Sequence, residues 1–157
     1  MKIKLIVIGK TDEKYLNTGI KKYTDRILHY LPFEYQIIPD VKKTRNLSEN
    51  QQKEKEGELL LSRVKPGDEV ILLDEGGNHY GSVEFARSLE KKMIKGIKNL
   101  VFVIGGPYGF SKKTYQAASS KISLSKMTFS HQMVRLIFSE QLYRALTIIK
   151  GEPYHHE

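Results

Sequence analysis

Short apolar runs alternate along the chain with stretches whose apolar residues recur every three or four positions. Residues 3–8 form a nearly unbroken apolar run closed by Gly9. Residues 12–31 place Leu16, Ile20, Tyr23 and Ile27 at helical spacing, and Pro32 ends that helix. Residues 33–39 read as a second strand. Ser48-Glu49-Asn50-Gln51 has the Ser-x-x-Gln form of a capping box, opening a helix that runs to Pro66-Gly67. Residues 70–73 form a third strand, expected to stop at Asp74-Glu75-Gly76-Gly77. Phe85, Leu89 and Met93 then share one face of a helix over 83–96. Residues 100–104 are the most apolar strand, broken by Gly105-Gly106-Pro107-Tyr108-Gly109. A short helix follows from about residue 112, with a fifth strand near 121–125. A long helix over 131–150 stops at Gly151, with Pro153 just beyond.

Strands as continuously apolar as Leu-Val-Phe-Val-Ile are buried on both faces, as in a parallel sheet covered by helices. The expected class is therefore α/β, with a five- to six-stranded, mainly parallel sheet and helices on both faces. At 157 residues and 18.1 kDa, the chain has room for one domain spanning residues 1–157. No repeat or low-complexity linker divides it. Hydrophobic residues at 39% and charged residues at 28% exclude a disordered tail.

Charge narrows the partners. Twenty-six Lys and Arg against 18 Asp and Glu leave a formal +8. Residues 1–60 carry 12 basic and 9 acidic groups, residues 61–120 carry 9 and 6, and residues 121–157 carry 5 and 3. The excess is spread through the domain, so it reads either as a nucleic-acid footprint or as a solvated surface. Cysteine is absent, which excludes disulfides, thiol nucleophiles and cysteine metal sites. The opening apolar run ends at Lys10, against about 7–15 apolar residues for a secretory segment, and it reads better as a first strand. No run reaches the length of a membrane span. A cytoplasmic protein with no membrane association is the expectation.

In an open parallel sheet, ligands bind outside the carboxyl ends of the strands. Three such ends carry unusual residues: 73–77, 105–109 and 125–129. Three glycines within five residues allow a ligand to lie against backbone, or they simply make a tight turn. Gly-x-Gly-x-x-Gly and the phosphate-binding Gly-x-x-x-x-Gly-Lys-Ser/Thr are both missing. A dinucleotide dehydrogenase and a P-loop ATPase are therefore disfavoured, and no Gly-x-Ser-x-Gly elbow supports a hydrolase. No His/Asp/Glu cluster has metal-ligand spacing, so no metal is expected. The last helix is apolar around most of its circumference, which calls for a second covering surface. That surface is either a second copy of the chain or the surrounding core of a monomer. Its polar exceptions include His131 and Arg135 at i, i+4, and Glu140 and Arg144 at the spacing of a helical ion pair. The tail Pro153-Tyr154-His155-His156-Glu157 reads by default as a frayed end.

Residues 101–109 (Val-Phe-Val-Ile-Gly-Gly-Pro-Tyr-Gly), 124–135 (Leu-Ser-Lys-Met-Thr-Phe-Ser-His-Gln-Met-Val-Arg), 140–145 (Glu-Gln-Leu-Tyr-Arg-Ala) and 153–155 (Pro-Tyr-His) together resemble the RlmH family. These are SPOUT-class enzymes that methylate the N(3) nitrogen of a pseudouridine in 23S ribosomal RNA. The resemblance spans the chain and is densest over residues 100–157. It implies an α/β knot, with a C-terminal trefoil knot forming the cofactor pocket. It also implies a homodimer and S-adenosylmethionine as methyl donor. By the same resemblance, Leu73, Gly105, Leu124, Ser125, Lys126, Met127, Thr128 and Phe129 should contact the cofactor. His131, Arg135, Arg144, Tyr154 and His155 are then the candidates to orient RNA or assist loss of the N(3) proton, with tail residues acting across the dimer. Where the family usually carries Pro, this chain has Ser130, a residue suited to capping the last helix. The implied substrate is the large subunit or the assembled ribosome. Two rivals stand beside this reading: a non-catalytic ribosome- or RNA-binding factor, and a SPOUT methyltransferase acting on transfer RNA.

Overall fold

The structure, a computed structural model, describes residues 1–156. Five strands form one sheet: β1 (Lys2–Ile8), β2 (Phe33–Ile38), β3 (Glu69–His79), β4 (Asn99–Ile104) and β5 (Ser120–Ser123). Their order is β2-β1-β4-β3-β5, and every neighbouring pair is parallel. The helices are α1 (Lys14–Ile27), α2 (Glu49–Leu61), α3 (Ser82–Ile94), α4 (Lys112–Ala117) and α5 (Met133–Lys150), with one 3-10 turn at Thr44–Asn46.

Alternation within the strands divides the core in two. Ile3, Leu5 and Val7 of β1, with Leu100, Phe102 and Ile104 of β4, face a cluster completed by Ile27, Phe85, Leu89, Phe138 and Leu142 from α1, α3 and α5. Ile6, Ile8, Val101 and Val103 face the other way, against Leu60 and Phe110 beside α2 and α4. Both faces are covered, which is why β1 is apolar from Leu5 to Ile8 and β4 from Leu100 to Ile104. The expected capping box is present: Ser48 Oγ accepts the Gln51 N–H at 3.1 Å, and the Ser48 N–H donates to Gln51 Oε1 at 2.9 Å.

Several boundaries differ from expectation: the helix expected to run to Pro66-Gly67 ends at Leu61, and the fifth strand covers Ser120–Ser123 rather than 121–125. The helix read over 12–31 is regular only from Lys14 to Ile27. Beyond it His29 and Tyr30 donate to carbonyls three residues back, and Pro32 bars any continuation. Strand β3 does not end at its glycines. It slips register between Leu73 and Asn78 and continues beside β5 to His79. Gly77 makes that possible, because a Cβ there would lie 2.5–2.7 Å from the Ile122 backbone. The last helix begins at Met133 rather than 131. Ser130 caps its first turn, Oγ accepting the Met133 N–H at 3.1 Å. No helix among the described residues is long and apolar enough to cross a membrane.

Candidate active site

The carboxyl ends of β3, β4 and β5 open together into a cavity of about 560 Å³. Leu73, Asp74 and Glu75 bound it from β3. The Gly105–Phe110 turn bounds it from β4, and Ile122, Ser123 and the loop to His131 close it from β5. Its walls combine apolar side chains (Ile104, Phe110, Leu124, Phe129) with loop backbone and a few polar groups, the usual character of a small-molecule site.

The turn after β4 is tightly held. Gly109 takes φ +79 and donates its N–H to the Gly106 carbonyl at 3.2 Å. A Cβ at Gly105 would sit 3.1 Å from the Phe110 ring, and one at Gly106 would sit 2.6 Å from a carboxylate oxygen of Glu56. Glu56, on α2, is 3% exposed, and only one of its two oxygens has a hydrogen-bond partner, Gln52 Nε2 at 3.0 Å. Burial pushes its carboxyl above the usual range. The missing side chain at Gly106 thus lets Glu56 of α2 pack directly against the turn.

Negative charge enters the cavity from β3. Asp74 Oδ1 accepts the Gly76 N–H at 2.8 Å, and its other oxygen accepts the Tyr115 hydroxyl. Burial, and then the bond to Asp74, push that phenol up to about 12, so it stays a donor. On the opposite wall His131 is driven below its ordinary value, first by burial and second by the Arg135 guanidinium. It faces the cavity as a neutral imidazole at neutral pH.

A family model described as "Predicted SPOUT methyltransferase" matches residues 1–155. This chain belongs to the SPOUT methyltransferases. Proteins from Christiangramia forsetii (64% identical, 99% of each chain covered) and Parabacteroides distasonis (63%, both chains covered fully) are named ribosomal RNA large subunit methyltransferase H. One from Bacteroides thetaiotaomicron, 56% identical over the whole of both chains, carries the same name.

Set against this SPOUT fold, the candidate residues separate into two groups. Leu73, Gly105, Leu124, Ser125, Met127, Thr128, Phe129 and His131 line the cavity; Lys126 does not. Arg135 lies one helical turn from His131 yet points into the core. It is fully buried, and its guanidinium donates to the carbonyls of Ile8 (2.5 Å), Gly9 (2.9 Å) and His131 (3.1 Å) and to Thr11 Oγ1 (2.9 Å). Its place is that of a positioning residue that ties the end of β1 to the His131 backbone.

Arg144, Tyr154 and His155 gather elsewhere. Arg144 lies three turns beyond Met133, about 16 Å along α5. It pairs with Glu140, meets His155 Nδ1 at 3.3 Å, and lies 4.8 Å above the Tyr154 ring. Tyr154 donates to Glu140 Oε1 at 2.9 Å and packs edge-on to Tyr143, with centroids 4.7 Å apart. Tyr30 donates to Glu152. Residues 152–155 are therefore folded against α5 and, through Tyr154 and Tyr23, against α1 instead of frayed, while Glu157 lies outside the described residues. Sequence reasoning missed Asp74, Phe110, Ile122, Ser123 and Val134 as cavity residues. The strand-end rule located the neighbourhood, and the β3–β5 pairing brings Ile122 and Ser123 to it. Among the described residues, no group of three His, Cys, Asp or Glu is placed to hold a metal ion.

Proposed function

We propose that this SPOUT methyltransferase, working as a homodimer in the bacterial cytoplasm, methylates N(3) of a pseudouridine in 23S ribosomal RNA on the assembled ribosome, with S-adenosylmethionine as donor. The cavity at the β3, β4 and β5 ends carries the reading. Its size, its exposed loop backbone and the carboxylate of Asp74 suit a nucleoside-containing, cationic ligand. The names of the full-length relatives support ribosomal RNA as substrate, and the excess positive charge supports an RNA partner.

S-adenosylmethionine, when bound, supplies an electrophilic methyl group. Leu73, Gly105 and the Leu124–Phe129 loop hold it and exclude water, so the main work of the protein is alignment. Lys126, though outside the lining, belongs to that loop. The N(3) proton of the base must leave, and the cavity side chains able to accept it are neutral His131 and the carboxylates of Asp74 and Glu75. Arg135 holds the His131 backbone in place from below. Family membership implies that the segment after β5 is threaded as a knot, which would fix this loop against β4.

The distance of Arg144, Tyr154 and His155 from the cavity supports their use across a dimer, with the tail of one subunit completing the cavity of the other. Ile137 of α5 stays partly exposed in the single chain, as a helix with a further partner would leave it, while Ile148 and Ile149 pack in part against the core. Calorimetric titration with S-adenosylmethionine tests the reading at its base. Binding with one cofactor per chain is expected, and Gly105→Val, folded by circular dichroism, should lose it. A folded, dimeric wild-type protein with no affinity would overturn the reading in favour of an RNA-binding factor.

A further inference from the structure

A second hollow of about 520 Å³ runs along the outer side of α3, bounded by Glu69 and His79 at the two ends of β3. Arg87, Lys91 and Lys95 line it at intervals of four residues, so they share one face and span about 12 Å. All three are exposed. The acids in the hollow are already engaged: Glu69 pairs with Lys92, and Glu84 accepts the Gly81 N–H at 2.8 Å. Among the described residues, none of the three cations has a carboxylate in ion-pair range. Tyr80, 41% exposed, also lines the hollow.

The hollow is joined to the cofactor cavity by the sheet. His79 is the register partner of Ser123, and Ser123 lines that cavity. A strand whose target base enters the cavity can therefore continue over residues 79–80 onto α3. We propose that this groove holds the backbone of the substrate RNA next to the modified nucleotide, with Arg87, Lys91 and Lys95 on phosphates and Tyr80 stacked on a neighbouring base. The proposal rests on the RNA substrate proposed above. A row of unpaired cations with an aromatic ring at one end favours RNA over an acidic protein, which offers no base to stack.

The test compares wild type, the triple variant Arg87→Gln/Lys91→Gln/Lys95→Gln, Tyr80→Ala and Tyr80→Phe. Binding to purified ribosomes is measured across a salt series, together with methylation kinetics and cofactor titration. The triple variant should lose about tenfold or more in ribosome affinity, with the slope of log K against log salt smaller by about 2–3. Its cofactor affinity should be unchanged. Tyr80→Ala should lower ribosome affinity without altering the slope, and Tyr80→Phe should restore it. Wild-type affinity and slope in the triple variant would overturn the groove. Groove-dependent ribosome binding without methyl transfer by the wild type would instead overturn the enzymatic reading and leave the groove standing.

Discussion

Two buried ionisable side chains sit behind the cavity, and each has a measurable signature. Arg135 satisfies the carbonyls of Ile8 and Gly9 at the end of β1. Replacing it with Met strands both in an apolar interior, at about 1–3 kcal/mol for each group. Urea unfolding of Arg135→Met should show a loss of about 3 kcal/mol, and an unchanged midpoint would mean that the guanidinium is not the tie. Glu56 acts in the opposite sense. Burial raises its carboxyl above the unfolded value, so the folded state holds its proton to higher pH. Stability from this site is fully present below the ordinary carboxylate range, about pH 4, and falls as pH rises through that range toward the raised value. Glu56→Gln keeps the shape and the contact with Gln52 without the charge. Its melting temperature should match wild type below about pH 4 and exceed it at neutral pH. Identical curves at every pH would show that Glu56 ionises as freely folded as unfolded.

At the scale of elements, the junction of β3 with β5 decides the shape of the cavity. Gly77→Ala places a methyl group within 2.5–2.7 Å of the Ile122 backbone. It should push β5 away, lowering both thermal stability and cofactor affinity, because Ile122 and Ser123 line the cavity. An alanine variant with wild-type cofactor affinity would show that the register shift does not shape the site. This junction was the part of the fold least legible in the sequence. Gly76-Gly77 reads locally as a strand terminator, whereas here the missing side chain lets a neighbouring strand approach. Elements with strong periodicity or clear punctuation were legible: β1, β4, the Ser48 capping box and the Gly151 stop of α5 all stand close to where their residues place them. Arg135 shows the limit of helical spacing. The shared face expected of His131 and Arg135 does not hold: α5 begins at Met133, so His131 lies in the preceding turn and faces the cavity while Arg135 faces the core.

In the whole molecule, the candidate residues fall into a cavity group and a tail group too far apart to act together within one chain. A homodimer that joins one subunit's cavity to the other's tail makes a direct prediction. Gly105→Val and a chain lacking residues 153–157 should each be inactive as homodimers. Mixed heterodimers should recover activity, since one intact cavity then meets one intact tail. Inactive heterodimers would place the tail's action within its own subunit, or outside catalysis. The RlmH resemblance supplied the candidate residues by number but set His131 and Arg135 in one group with Arg144, Tyr154 and His155; composition and periodicity reached only a basic α/β domain with a ligand site at its strand ends. The most direct test of the account is transfer of isotopically labelled methyl from S-adenosylmethionine to ribosomes, with the labelled nucleoside identified after digestion. The account predicts label in 23S ribosomal RNA, on N(3) of a single pseudouridine, and none in transfer RNA. Label in transfer RNA, or on another atom of the ribosomal RNA, would contradict it.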